Sequence, residues 1–328
     1  MRDLRVANFF GSGQIKAVGD ECLANGASII IINANLSPVQ QRNLERIWRV
    51  KVIDRTGLIL EIFGLRAATK EGKLQVELAR LGYERSRLVR TWTHLERQRG
   101  GTGGLAGPGE TQIESDRRVL NDKMTKLKKE LEQVRKTRGL QRKKRKRAPE
   151  KVVALVGYTN AGKSSLFNIV TEGGVLAKDM LFATLDTTHR VLLLPSGQSA
   201  VLSDTVGFIS DLPTDLINAF RATLEEVKEA DLILHVRDIA DPFCERRKNE
   251  VLKVLDLINA GPRHGQSIIE VWNKVDKIDP VELDFMIERA EALFQTDNES
   301  VSFPISCLNS FGILKLKNGI EKYLTKGD

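Results

Sequence analysis

A chain of 328 residues, 41% hydrophobic and 29% charged, is long enough for about two globular domains and has the composition of an ordinary soluble protein. No stretch approaches the ~18 consecutive apolar residues of a membrane span, and Met1-Arg2-Asp3-Leu4-Arg5 lacks the apolar core of a secretory signal. Three scattered cysteines (Cys22, Cys244, Cys307) fit a reducing cytoplasm better than a disulfide framework, and the four histidines show no zinc-ligand spacing with them.

In chain order, residues 1–71 read as a small α/β domain. Ser28-Ile29-Ile30-Ile31-Ile32 is a continuous apolar strand. Ser37-Pro38 then opens a helix, with Ser37 as N-cap, Pro38 in the first turn and Gln40 completing a capping box. Arg49-Val50-Lys51-Val52-Ile53 returns as a strand, and the alternation predicts a thin parallel sheet. So few strands leave two expectations open: residues precede Met1 in the complete protein, or this sheet is reduced.

Residues 72–147 have another character. Leu74, Leu78, Leu81, Leu88, Trp92 and Leu95 keep a 4–3 spacing interrupted only at Arg85. Ile113, Leu120, Met124, Leu127, Leu131 and Val134 repeat it, interrupted at Arg117. Two such seams joined by a short loop predict an antiparallel helical hairpin; two amphipathic helices packed on a neighbouring domain would read similarly. The joining segment holds six glycines between Gly100 and Gly109, which suits either a floppy connector or a bare backbone that approaches a partner closely. Residues 121–147 carry 13 Lys/Arg and 3 Asp/Glu, a local +10 against +8 for the whole chain, so the remainder carries −2. Such a run points to nucleic-acid phosphates or to a solvated helix face.

Residues 151–328 read as a doubly wound α/β domain with strands near 152–156, 190–194, 200–204, 232–236, 268–272 and 301–305, closed by a helix near 312–323. Directly after its first strand stands Gly157-Tyr158-Thr159-Asn160-Ala161-Gly162-Lys163-Ser164, a G-x-x-x-x-G-K-S loop. Its backbone N–H groups turn onto phosphate oxygens, Lys163 reaches the β- and γ-phosphates, and the Ser164 hydroxyl suits Mg²⁺. Asp204-Thr205-Val206-Gly207 follows 47 residues after Gly157; its carboxylate supports Mg²⁺ and the Gly207 N–H senses a γ-phosphate. Asn273-Lys274-Val275-Asp276 lies 69 residues beyond Asp204, and Asp276 accepts two N–H bonds from guanine where adenine presents the wrong edge. Ser306-Cys307-Leu308, 33 residues later, stands where a backbone N–H would meet guanine O6. Four elements in this order, each at a strand end, predict a P-loop domain that takes GTP and GDP with Mg²⁺.

These motifs and the phrases around them resemble the HflX family of ribosome-associated GTPases. The resemblance rests on Asn43-Leu44-Glu45-Arg46, Val52-Ile53-Asp54-Arg55-Thr56-Gly57-Leu58-Ile59-Leu60 and Gly72-Lys73-Leu74-Gln75-Val76-Glu77-Leu78-Ala79. Trp92-Thr93-His94-Leu95-Glu96-Arg97-Gln98 and Gly107-Pro108-Gly109-Glu110-Thr111-Gln112 extend it. Leu181-Phe182-Ala183-Thr184-Leu185-Asp186, Asp204-Thr205-Val206-Gly207-Phe208-Ile209 and Phe220-Arg221-Ala222-Thr223-Leu224-Glu225-Glu226 complete it, so that nearly the whole chain is covered.

The family implies binding to the large ribosomal subunit and its rRNA, and separation of stalled ribosomes into subunits. It assigns the basic helix to RNA contact and the glycine-rich tip to a close approach toward the peptidyl-transferase region. It also makes Phe182, Ala183, Thr184, Leu185 and Asp186 the second GTPase motif, with Thr184 the switch threonine and a Mg²⁺ ligand; on the residues alone Thr187 or Thr188 is nearly as credible. Two departures stand out. Family members usually carry more residues ahead of the counterpart of Phe10-Gly11-Ser12-Gly13, and Asp186-Thr187-Thr188 replaces a usual Asp-Pro-Thr, which frees the backbone of the first switch.

Small GTPases often place Gln after the residue equivalent to Gly207, to orient the attacking water; this chain has Phe208. A phenyl ring orients no water, so hydrolysis by the isolated protein is expected to be slow and to rise by about 10³- to 10⁵-fold when a partner completes the site. The other reading makes Phe208 a packing residue that retracts while backbone groups hold the water. A GTPase that checks large-subunit assembly, or an RNA-binding scaffold with GTP as conformational switch, would share most of these parts. Nothing in the sequence argues for an oligomer, and a cytoplasmic monomer is the default.

Overall fold

The structure is a computed structural model that describes residues 7–91, 112–145, 151–171, 188–208, 221–296 and 301–325. It falls into two compact units, Met1–Lys136 and Thr137–Asp328.

The first unit opens with α1 (Ser12–Ala24), β1 (Ile29–Ile32), α2 (Pro38–Trp48), β2 (Lys51–Asp54) and α3 (Arg55–Arg66). The expected capping box is present: Ser37 Oγ accepts from Gln40 N at 3.2 Å, and Gln40 Oε1 accepts from Ser37 N at 2.9 Å. β1 and β2 pair in parallel, Ile29 with Lys51 through Ile32 with Asp54. Ile15, Ile32, Leu36, Leu44, Trp48 and Val52 form the core beneath them, and Trp48 Nε1 donates to Ile15 O at 2.8 Å. Because this core covers a single face, Ile29 and Ile31 remain 47% and 54% exposed despite the unbroken apolar run.

The long helices α4 (Lys70–Thr91) and α5 (Gln112–Arg145) follow. Leu120, Met124, Leu127, Leu131 and Val134, the second seam, form almost the whole buried or half-buried stripe of α5 among the described side chains. Arg85 Nη1 donates to Asn121 Oδ1 at 3.1 Å, and a Cβ on Gly82 would lie 3.9 Å from Met124 Cε. One number rises as the other falls, so the helices run antiparallel, as the hairpin reading requires. A cleft of about 610 Å³ between them reaches down to Val52 and Leu60.

α4 also buries Glu71, Gln75, Val76 and Ala79, which the seam did not include. The reason is a second neighbour: α4 lies against α2 and α3 as well as α5. Asp54 marks that junction, 1% exposed at the start of α3. Its carboxylate accepts from Gly57 N (2.8 Å), Leu36 N (3.2 Å), Tyr83 Oη (2.6 Å) and Arg87 Nη2 (2.6 Å). Burial, then the Asp54 carboxylate, pushes the Tyr83 phenol far above its ordinary range. Trp92, Leu95 and the glycine-rich segment lie outside the described residues.

The second unit is a six-stranded sheet in the order β4-β5-β3-β6-β7-β8. Its elements are β3 (Lys151–Gly157), α6 (Lys163–Val170), β4 (Thr188–Leu193), β5 (Ser199–Asp204), α7 (Arg221–Lys228), β6 (Leu232–Asp238), α8 (Cys244–Leu257), β7 (Ser267–Asn273), α9 (Pro280–Thr296), β8 (Val301–Pro304) and α10 (Ile313–Thr325). All pairings are parallel except β4 with β5, at one edge. β3 and β6 are buried along most of their length, as expected of parallel strands covered on both faces. β3 leads first to the β5 side and later strands continue beyond β6, so the switch point, where such sheets bind ligands, lies at the carboxyl end of β3.

Candidate functional site

Three loops meet at that edge. The phosphate loop leaves β3 at Gly157, whose φ of 153° and the position of Val236 O, 2.2 Å from where a Cβ would stand, admit only glycine. Gly162 (φ 96°) is held as tightly, with Asn273 Nδ2 2.1 Å from its would-be Cβ. Between them Asn160 turns through φ 64° and Ala161 is buried. α6 then starts at Lys163 and points its N-terminus into the loop. Lys163 Nζ donates to Gly157 O at 3.1 Å and Tyr158 O at 2.9 Å. Burial pulls its pKa down to about 8, opposed in part by Asp204.

The segment after β5 lies along this loop. Ser164 Oγ donates to Asp204 Oδ2 at 2.9 Å. Thr205 Oγ1 donates to Leu155 O at 2.6 Å, which straps the segment to β3, and Val206 is buried. A Cβ on Gly207 would stand 2.9 Å from Lys163 Nζ and 2.9 Å from Thr159 Cγ2. Thr159 N donates to Phe208 O (2.7 Å) and Phe208 N to Gly157 O (3.1 Å). The Phe208 side chain is only 3% exposed, so position 208 brings a packed ring and no polar side chain to the site.

The third loop follows β7. Asn273 uses both ends of its amide: Nδ2 donates to Ala161 O (2.9 Å) and Oδ1 accepts from Cys307 N (3.2 Å). It thereby ties the phosphate loop to the segment after β8. Lys274 sits in the left-handed region (φ 68°) and its Nζ donates to Asp238 Oδ2 at 2.7 Å. Val275 is buried, and Asp276 Oδ1 accepts from Ser306 Oγ at 2.5 Å. Ser306 is fully buried, whereas Leu308 is 84% exposed. Burial, followed by the nearby Asp276 carboxylate, pushes the Cys307 thiol up to about 12, so it stays protonated.

Thus Gly157, Tyr158, Thr159, Asn160, Ala161, Gly162, Lys163, Ser164, Asp204, Thr205, Val206, Gly207, Asn273, Lys274, Val275, Asp276, Ser306, Cys307 and Leu308 converge on one edge of the sheet. Phe182, Ala183, Thr184, Leu185, Asp186 and Thr187 lie outside the described residues; Thr188 opens β4. Sequence reading missed Asp238, the partner of Lys274, because an isolated Asp closing an apolar strand carries no motif. Ser164 and Asp204 present the all-oxygen donors that a hard divalent cation takes, so the residues present fit Mg²⁺.

Three family descriptions match the chain: a GTP-binding GTPase N-terminal region over residues 1–64, a GTP-binding GTPase middle region over 66–145, and a 50S ribosome-binding GTPase over 152–274. Among solved structures, SsGBP in complex with GDP is 27% identical, with a TM-score of 0.56 over 98% of this chain and 88% of that one. The GTPase HflX of Magnetococcus marinus is 54% identical over 83% of this chain, and that of Escherichia coli 50% identical over 84%. The chain spans 62% and 63% of the length of those two relatives. The GTPase HflX of Caldanaerobacter subterraneus subsp. tengcongensis is 42% identical over 99% of this chain and 72% of its own length. That match runs through the N-terminal region and the helices as well as the P-loop domain, and the chain belongs to the HflX family of GTPases.

Proposed function

We propose that this chain hydrolyses GTP to GDP and phosphate, and that it does so on the large ribosomal subunit, where it separates or rescues stalled ribosomes. The observation that carries the reading is the mutual bonding of the three loops. Thr159 to Phe208, Ser164 to Asp204, and Asn273 to Ala161 link phosphate, switch and base-reading segments, so a nucleotide that fits one engages all three.

Within it, Lys163 neutralises the β- and γ-phosphates while the loop N–H groups and the start of α6 hold the rest. Ser164 and Thr184 are the direct Mg²⁺ ligands, with Asp204 behind Ser164; when bound, the ion neutralises charge between the phosphates. Gly207 reads the γ-phosphate. Asp276 reads guanine, Asn273 and Lys274 fix its loop, and Ser306, Cys307 and Leu308 form the far wall. The packed Phe208 ring leaves water orientation to backbone groups or to the partner.

A partner of that kind has a surface to meet. The hairpin of residues 72–147 carries the local +10, and the middle region's match covers most of it. The matching description of residues 152–274 itself names 50S ribosome binding. Co-sedimentation with purified large subunits should therefore be strong at low salt. If the interface neutralises about six phosphates, affinity falls by about 10³-fold between about 50 and 200 mM salt. Pelleting that ignores salt would remove the basic hairpin from the account.

The depressed Lys163 gives a pH signature. Bound phosphates favour the charged ammonium, so Lys163 has a higher pKa in the complex than the value of about 8 it has without them. Binding then takes up a proton, affinity is level below pH 8 and falls as pH rises through it, by about tenfold from pH 7 to pH 9. GDP titrations in buffers of differing ionisation enthalpy should register that proton uptake near pH 8.

A further inference from the structure

We propose that Arg247, on α8, is a positioning residue for the phosphate loop: it clamps the ring of Tyr158 and so fixes the carbonyls on which Lys163 rests. The inference rests on the nucleotide reading of the site and adds to it a residue outside every GTPase motif.

The Arg247 guanidinium carbon lies 4.6 Å from the centroid of the Tyr158 ring. A guanidinium at that distance from an aromatic face is attracted by the ring quadrupole, more strongly where water is partly excluded, and here the Arg247 side chain is 35% exposed. Arg247 is itself anchored by an ion pair to Asp241, whose side chain is 10% exposed. Asp241 in turn is fixed by the turn after β6, where its Oδ1 accepts from Phe243 N (2.9 Å) and its carbonyl from Cys244 N (2.9 Å). The clamp is therefore anchored in the turn that leads from β6 into α8.

Tyr158 matters because of what its backbone does. Its carbonyl accepts from Lys163 Nζ at 2.9 Å, and the adjoining Gly157 carbonyl does so at 3.1 Å. The loop is walled on one side by Val236 O and on another by Phe208, through the Thr159 bond. Arg247 adds a restraint on the α8 side, beside the bond that Ala161 N donates to the Tyr158 carbonyl at 3.2 Å. The space between them is about 20 Å³, room for about one water and far too small for a nucleotide group. It is a packing contact behind the site. The same turn carries Asp238, which holds Lys274, so one short segment braces both the phosphate loop and the base-reading loop.

The test is GDP affinity and release rate for R247A, R247K and Y158A, with the melting temperature of each nucleotide-free protein. R247A and Y158A should each weaken GDP by roughly threefold to thirtyfold, chiefly through faster release. R247K keeps a cation, so it should stay closer to the parent than R247A does. The double variant R247A/Y158A should be no weaker than the worse single one, because both remove the same contact. Should R247A fail to fold, Arg247→Gln keeps the length without the charge and carries the same expectation. Parent-like GDP binding by R247A or R247Q, or losses that simply add in the double variant, would overturn the proposal. If the parent protein itself binds no GDP, the nucleotide reading falls and takes this one with it; the parent control separates the two failures.

Discussion

Lys163→Ala should abolish tight binding of GTP and GDP. Lys163 is buried, and among the described residues its ammonium is held by the Gly157 and Tyr158 carbonyls and by the Asp204 charge. Hydrogen bonds to charged groups contribute about 1.5–3 kcal/mol each, so losing a cation that serves two phosphates costs on the order of 10²- to 10⁴-fold in affinity. The same change removes a buried charge, which relieves a desolvation cost, so the nucleotide-free protein should melt within a few degrees of the parent. Equilibrium binding of a fluorescent GDP analogue, with a melting curve alongside, checks both halves. Binding within threefold of the parent would mean that the phosphates do not sit in this loop.

Asp276→Asn should turn base preference from guanine toward xanthine. A carboxylate accepts both guanine donors, the ring N–H and the exocyclic amine, and the Ser306 hydroxyl at 2.5 Å holds Asp276 Oδ1 in place. An amide offers one acceptor and one donor; the donor opposes the guanine amine and suits the carbonyl that xanthine carries there. A site built around such bonds discriminates steeply, because the wrong base leaves buried groups unpaired. Guanine affinity should fall by on the order of 10²-fold or more, while xanthine affinity rises. Competition between GDP and XDP against labelled nucleotide measures this, and an unchanged preference would remove Asp276 from base recognition.

The site was largely legible because a triphosphate and a purine dictate residue types at short spacing. Gly157, Gly162 and Lys163 were read as a loop that wraps phosphate, and the fold places all three between the end of β3 and the start of α6. β3 and β6 were legible as apolar runs, since parallel strands buried on both faces have no alternation to hide. Features that depend on pairing across the chain left no local trace. Asp238 meets Lys274 from 36 residues away, and Tyr83 and Arg87 meet Asp54 across 29 and 33 residues. α4 shows the same limit differently: one 4–3 seam was readable, but Gln75, Val76 and Ala79 form a second buried face that appears only once α2 and α3 are packed against it. Phe208 was read either as a residue that leaves water orientation to a partner or as a packing residue beside backbone groups that hold the water, and its buried ring does not choose between them.

In the function proposed, the ribosome finishes the P-loop site. The measurement that tests it most directly is GTP turnover by the purified protein with and without purified large ribosomal subunits, with Lys163→Ala as the blank. Turnover should be slow alone and rise by about 10³-fold or more with subunits if the partner supplies the water-orienting group that Phe208 does not. Fast turnover by the isolated protein, or a slow rate that subunits leave unchanged, would contradict it.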